Sequence, residues 1–187
     1  MPKVSQEQAK LNRQRVVKVA SSLFRERGLH GVGVADIMAA AGLTHGGFYG
    51  QFASKDALAV EAFDAALAEE HRGKQDALIA NYLSLGHIEA PGRGCPLAAL
   101  ANDVAREPPG SPIRTHFSQG VERLVELLAE LIPRTSNVRR RQKSLANLAT
   151  LVGGVVLARA VDDTSLADEL VQAARASVQV KGVGAHG

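Results

Sequence analysis

The chain has 187 residues with 45% hydrophobic content, long enough to bury a core of real size, and its formal net charge is +3. A single cysteine excludes an internal disulfide and a multi-thiolate zinc site, and the six histidines show no metal-ligand spacing, so no metal or cofactor is expected. Aromatic residues make up only 4% and Trp is absent, which favours aliphatic helix packing over a sheet sandwich.

The charge is unevenly distributed. The first 30 residues hold seven Lys and Arg (Lys3, Lys10, Arg13, Arg15, Lys18, Arg25, Arg27) against Glu7 and Glu26, or +5, and the remainder carries −2. No basic start leads into an apolar run, so no secretory signal is read. The densest apolar stretch, Leu145 to Val161, is broken by Asn147, Thr150 and Arg159 and falls short of the ~20 residues of a membrane span. A cytoplasmic protein with no membrane contact is expected.

In chain order, Met1 to Ala9 is polar and reads as a frayed end. From Lys10 to Arg27, Val16, Val17, Ala20, Leu23 and Phe24 recur at helical spacing, with Arg15, Lys18 and Arg25 on the opposite side. Gly28 ends this helix. Val34 to Ala41 is a short second helix anchored by Ile37, and Gly42 turns into a third, in which Phe48 and Phe52 stand one helical turn apart and point at one core. Ser54 caps a fourth helix running to about Arg72. Ala77 to Leu85 reads as a helix, Gly86 to Pro96 as a Gly- and Pro-rich loop, and Leu97 to Ala105 as a short helix. Ser111-Pro112 opens the best-patterned helix, with its stripe of Ile113, Phe117, Val121, Leu124, Val125, Leu128 and Leu131, and Pro133 stops it. Val138 to Val161 has a basic start and then apolar residues nearly all round, so it must be buried on every side. Thr164 to Val178 is the last helix, and Lys181 to Gly187 a disordered, glycine-rich tail. No strand or repeat is read.

The chemistry is concentrated between Gly42 and Leu58. Opposite the two phenylalanines lie Thr44, His45, Gly46 and Tyr49, a thin row of small and hydrogen-bonding groups suited to a DNA groove. Glycine costs a helix roughly 0.8–1.0 kcal/mol relative to alanine, so Gly46, Gly47 and Gly50 make a poor isolated helix, held in place by its two rings. In exchange, the backbone can approach a partner closely.

The run Gly42-Leu43-Thr44, Phe48-Tyr49, Phe52 and Ser54-Lys55-Asp56-Ala57-Leu58 resembles the helix-turn-helix signature of TetR/AcrR-type transcriptional regulators. The resemblance covers the first third of the chain. It implies that Thr44, His45 and Gly46 face the major groove, that Tyr49 and Lys55 bind phosphates, and that Phe48 and Phe52 anchor the recognition helix. Gly33 stands where a serine or threonine often caps the second helix. Glycine is an acceptable cap, but it has no hydroxyl for a phosphate. Gln51 replaces a common histidine. The fold implied is all-α: a three-helix DNA-binding domain over residues 8–68, a connector helix, and a ligand-binding and dimerisation domain over 69–180. The resemblance assigns the dimer interface to the last two helices, where Leu148, Val152, Gly153, Val156, Leu170 and Ala174 are the candidates. A homodimer would read palindromic double-stranded operator DNA with two heads ~34 Å apart, and a small-molecule effector lodged between Ala77 and Val161 would release it. No residue set for that pocket is readable.

Simpler readings stand beside these. The glycine-rich stretch is neither in the order nor in the strand context of a phosphate loop. No local motif supplies a catalytic set, so an enzyme is not expected. A non-specific architectural DNA binder would share the basic N-terminal face. Cys95, in Gly94-Cys95-Pro96, could be a reactive thiol near a helix start or a small buried hydrophobe, with burial favoured.

Overall fold

The apolar spacing along the chain is resolved into helices wherever a cap and a buried face coincide. A computed structural model describes residues 6–70, 78–132 and 135–178. Among the described residues the helices are α1 (Gln6–Arg27), α2 (Val34–Ala40), α3 (Lys55–Glu70), α4 (Leu78–Tyr82), α5 (Leu85–Glu89), α6 (Pro96–Arg106), α7 (Pro112–Leu131), α8 (Asn137–Ala160) and α9 (Thr164–Ser177), with no strand. The fold is therefore all-α, as expected. The expected stop at Pro133, the end near Arg72 and the tail from Lys181 lie outside the described residues.

Three expectations are corrected. α1 begins at Gln6, inside the segment read as frayed. The supposed loop from Gly86 to Pro96 holds most of α5 and a 3-10 turn over Pro91–Arg93; Ser84 caps α5, its Oγ accepting from the His87 amide at 3.3 Å. The third helix is only a 3-10 turn over His45–Gly47 with turns after it. The glycines explain this, since three of them within five residues remove the propensity that would propagate a nucleus.

The N-terminal unit is closed by local chemistry. α2 ends in a Schellman motif: Gly42 at φ +70° donates to the Ala39 carbonyl at 2.9 Å, and Leu43 to that of Met38 at 2.9 Å. Val16, Ala20 and Phe24 of α1, Ile37 and Met38 of α2, and Phe48, Phe52, Leu58 and Ala62 fill its core. Ser54 caps α3 by accepting from the Ala57 amide at 3.0 Å.

α3 packs on α1 on one side and on α7 on the other, joining this unit to the larger C-terminal one. The second crossing is close at Gly120, where a Cβ would meet Phe63 and Leu67 at 3.2 Å. His116 of α7 also pairs with Asp64 of α3, Nδ1 to Oδ2, at 2.9 Å.

α7, α8 and α9 form the body of the C-terminal unit. Side chains cap the last two: the Asp163 carboxylate accepts from the Ser165 and Leu166 amides at 2.8 and 3.3 Å, and Ser136 from Arg139 at 3.4 Å. The adjacent glycines of α8 differ. A Cβ on Gly154 would lie 3.0 Å from that of Ala174 on α9, whereas one on Gly153 would meet nothing within 4 Å.

Gly154 is therefore the close crossing within the subunit. Gly154→Leu is expected to lower unfolding free energy by roughly 1–3 kcal/mol through overpacking, while Gly153→Ala should be neutral or gain up to about 1 kcal/mol of helix propensity. Urea midpoints of the two variants check this; equal losses would contradict the crossing.

Candidate nucleic-acid interface

The 3-10 turn stands on two rings. Phe48 is fully buried and Phe52 nearly so, and their rings stack with centroids 5.4 Å apart. Arg13 of α1 closes the stack from outside. Its guanidinium carbon is 4.6 Å from the Phe52 centroid, and both terminal nitrogens donate to the Glu61 carboxylate of α3, at 2.6 and 2.5 Å. The Glu61 hydrogen bond holds Arg13 more firmly protonated than usual.

On that base the turn presents Thr44, His45, Gly46 and Tyr49, all exposed. Tyr49 is 68% exposed, an uncommon position for so large a ring, and it is braced edge-on by Phe48 at 5.2 Å and by His45 at 6.0 Å. Phe48 thus stacks on Phe52 and stands nearly perpendicular to the exposed ring of Tyr49. The Gly47 carbonyl accepts from Gln51 Nε2 at 3.1 Å, so Gln51 locks the turn.

Gly33 is exposed at the start of α2. Its amide donates to Asp36 Oδ2 at 3.0 Å, and its carbonyl accepts from the Ile37 amide at 3.1 Å. The cap is thus made by the backbone of Gly33 and the side chain of Asp36, with no hydroxyl needed.

Lys55, the first residue of α3, is half-buried with its ammonium 6.0 Å from the Phe24 centroid. It lines a cleft of about 110 Å³ with Leu29, His30, Asp56, Glu107 and Ser111, between the N-terminal unit and the α6–α7 corner. His30 closes one side, its Nε2 2.8 Å from Glu107 Oε1. Sequence reasoning missed this cleft because its members are far apart in the chain and carry no shared pattern.

The basic N-terminal helix is only partly available to a partner. Lys10, Arg15, Lys18 and Arg27 are exposed, Arg13 is taken up by Glu61, and Lys3 lies outside the described residues. Arg25, expected on the open side, is instead buried at 8%; Nε donates to the Ser21 carbonyl at 3.0 Å and Nη1 to that of Gly94 at 2.7 Å. A helical wheel places residues relative to one helix only, and the segment around Gly94 covers this side of α1.

The candidates at the far end divide. Leu148 and Ala174 face inward, at 5% and 7% exposure, and belong to the subunit core. Val152, Gly153, Val156 and Leu170 are half-buried on the outside of α8 and α9. Leu145, Leu157 and Leu166 on the same two helices are exposed as well.

Among the described residues no cluster of three or more His, Cys, Asp or Glu could hold a metal, and no helix is long and apolar enough to cross a membrane.

Comparison with known proteins agrees with this geometry. Residues 16–62 match the model of the bacterial regulatory proteins of the tetR family. The uncharacterized HTH-type transcriptional regulator Rv0196 of Mycobacterium tuberculosis is 30% identical over 171 residues, spanning 83% of this chain and 88% of that protein. A TetR transcriptional regulator from Chloroflexus aurantiacus shares 27% identity with a TM-score of 0.68, over 94% of this chain and 98% of the other. The reduced form of NemR from E. coli shares the fold at 18% identity and a TM-score of 0.70, over 91% and 98% of the two chains. A helix-turn-helix unit joined through α3 to a larger helical unit, matched in sequence and in fold, identifies the chain as a DNA-binding transcriptional regulator of the TetR family.

Proposed function

We propose that this regulator is a sequence-specific repressor, that residues 8–68 read a palindromic operator as a homodimer, and that residues 69–180 bind the partner subunit and a small-molecule effector. The observation that carries the reading is the exposed row of Thr44, His45, Gly46 and Tyr49 on the buried Phe48–Phe52 stack. Polar groups fixed on a rigid base can reach base edges, and the glycines let the backbone come close. Tyr49 supplies a phenol and Lys55 an ammonium for flanking phosphates, and the Gly33 end of α2 approaches the backbone without a hydroxyl contact.

The dimer reading rests on the outer side of α8 and α9. Leu145, Val152, Gly153 and Val156 recur at one-face helical spacing, and Leu166 and Leu170 do so on α9. Leu148 and Ala174 support this face from within. For the effector, an open surface groove runs along α7, with half-buried Phe117 and Val121 and exposed Glu122, Arg123 and Glu126 along it. Movement there reaches α3 directly, because α3 crosses α7 at Gly120.

The decisive experiment is a gel shift against the gene's own upstream region with competitor DNA and a salt series. Preference for one segment over bulk DNA is expected; equal binding to both would favour a non-specific architectural role. In the same assay Lys55→Ala should weaken specific and random DNA alike and reduce the salt slope by about one unit. An unchanged slope would remove Lys55 from the phosphate contacts.

Base reading is tested by selection from a random pool. His45→Ala should change the preferred sequence, at roughly 1–3 kcal/mol for each well-formed hydrogen bond to a base that the substitution removes. The same consensus from both proteins would withdraw His45 as a reader.

Assembly is tested with Gly153→Leu. The site is open in the single subunit, so the variant should fold and yet sediment as a monomer. A stable dimer of this variant would move the interface elsewhere.

A further inference from the structure

Between α4 and α6 the chain makes a compact turn whose backbone groups are held by side chains from distant helices. Arg25 of α1 donates to the Gly94 carbonyl at 2.7 Å. The next amide, that of Cys95, donates to His87 Nε2 at 2.7 Å, and His87 Nδ1 lies 2.5 Å from the Tyr82 carbonyl oxygen. From the other side Arg159 of α8 donates to the carbonyls of His87 and Ile88, at 2.5 and 3.1 Å, and Arg175 of α9 to that of Leu83 at 2.9 Å.

These partners fix the state of the ring. An amide can only donate and a carbonyl can only accept, so Nε2 must be bare and Nδ1 must carry the hydrogen. There is little slack around it. The ring meets Tyr82 edge-on at 4.7 Å, and a Cβ on Gly94 would lie 2.5 Å from His87 Cδ2.

We propose that His87 is the positioning residue through which the C-terminal helices hold α1, and with it the reading turn, in the attitude that binds operator, and that only the neutral ring can do so. The proposal rests on the DNA-reading function above and adds to it a coupling element and a pH dependence. Protonation would place an N–H on Nε2 against the Cys95 N–H. Two donors would then face each other, and the link from His87 to the Gly94–Cys95 segment, and so to Arg25, would open.

The groups around the ring oppose that proton. Arg159 on α8 and Arg25 on α1 act on it as positive charges, and Tyr82 and Cys95 are the titratable neighbours on the adjoining segments. Arg175 is engaged with Leu83, and Glu26 of α1 accepts from Ser22 Oγ at 3.0 Å beside Gly92. Glu89 lies on the ring's own helix. Burial, first, and the two guanidinium groups hold the His87 pKa below the ordinary 6.5, against the raising effect of the Tyr82 carbonyl. Because the folded value is the lower one, the unfolded chain binds more protons in this range. The contribution of the neutral ring is complete above the unfolded value and is lost as pH falls toward the folded one.

The test compares operator affinity of the full-length wild type and His87→Gln, by fluorescence anisotropy at constant ionic strength, from about pH 7.5 to about pH 5.5. Glutamine offers an N–H and a carbonyl that do not titrate. Wild-type affinity is expected to fall measurably across the interval, by less than the roughly tenfold that an imidazole with the ordinary pKa would give, and His87→Gln to bind at neutral pH without that fall. His30, His45 and His116 are common to both proteins, so the difference between the profiles belongs to position 87. Coincident profiles would overturn the proposal. Nitrogen NMR of the imidazoles in wild-type protein supplies a measurement independent of DNA and of the variant's folding. The Nδ1–H tautomer is expected at neutral pH, with the Cys95 amide shift following the ring's titration. An Nε2–H tautomer, or a Cys95 amide indifferent to that titration, would overturn it. Failure of wild type to bind any upstream segment at neutral pH would count against the DNA-reading function, leaving the NMR result to decide the role of His87.

Discussion

The stacked pair Phe48 and Phe52 is the contact on which the reading surface depends. The segment that carries Thr44, His45 and Tyr49 forms only a 3-10 turn and loose turns after it, so few backbone bonds hold its shape. Three glycines in or beside that turn cost a helix roughly 0.8–1.0 kcal/mol each. Burying two phenylalanine side chains returns about 1.5–3 kcal/mol each, a comparable sum. The turn is thus held by its packing and by the Gln51 bond to the Gly47 carbonyl, and Thr44, His45 and Tyr49 are left facing outward.

The same economy governs the join between the two units. α3 is shared, with α1 on one side and α7 on the other, and Gly120 brings α7 close enough for Phe63 and Phe117 to meet with centroids 5.8 Å apart. A displacement of α7 is therefore carried to α3 through packed side chains. Buried Arg25 makes a second join, from α1 to the Gly94 carbonyl. A buried guanidinium is costly unless it is hydrogen-bonded, and two backbone carbonyls at 2.7 and 3.0 Å take two of its five N–H donors.

How much was legible follows from where each signal resides. The amphipathic periods of α1 and α7, the cap at Ser54 and the Gly42 turn are local, and they are found nearly where the sequence puts them. The exposure of Thr44, His45, Gly46 and Tyr49 was legible because Phe48 and Phe52 mark the opposite side. Arg25 was misplaced because a helical wheel knows its own helix and not the segment lying against it. α5 was missed because Gly86 and Pro91 signal turns, whereas the groups that organise this segment, Arg159 and Arg175, come from 71 and 92 residues away in sequence. The cleft beside Lys55 assembles residues from α3 and two separate loops, and no pattern in a single chain announces such a meeting.

Cys95 shows how a local reading and a distant one can both be needed. Its place directly before α6 fits a reactive thiol at a helix start, yet the side chain is 1% exposed. Exposure is a condition of reactivity, and burial removes it. The role of residue 95 in this structure is carried by its backbone, since its amide is the donor that fixes the His87 tautomer. Gly94, immediately before it, has no room for a side chain, and its carbonyl receives Arg25. Three consecutive positions, Gly94-Cys95-Pro96, therefore act through an acceptor, a donor and a helix start. Side-chain identity matters there chiefly as a limit on volume, which is why motif reasoning, built on side-chain chemistry, looked at the thiol and passed over the turn.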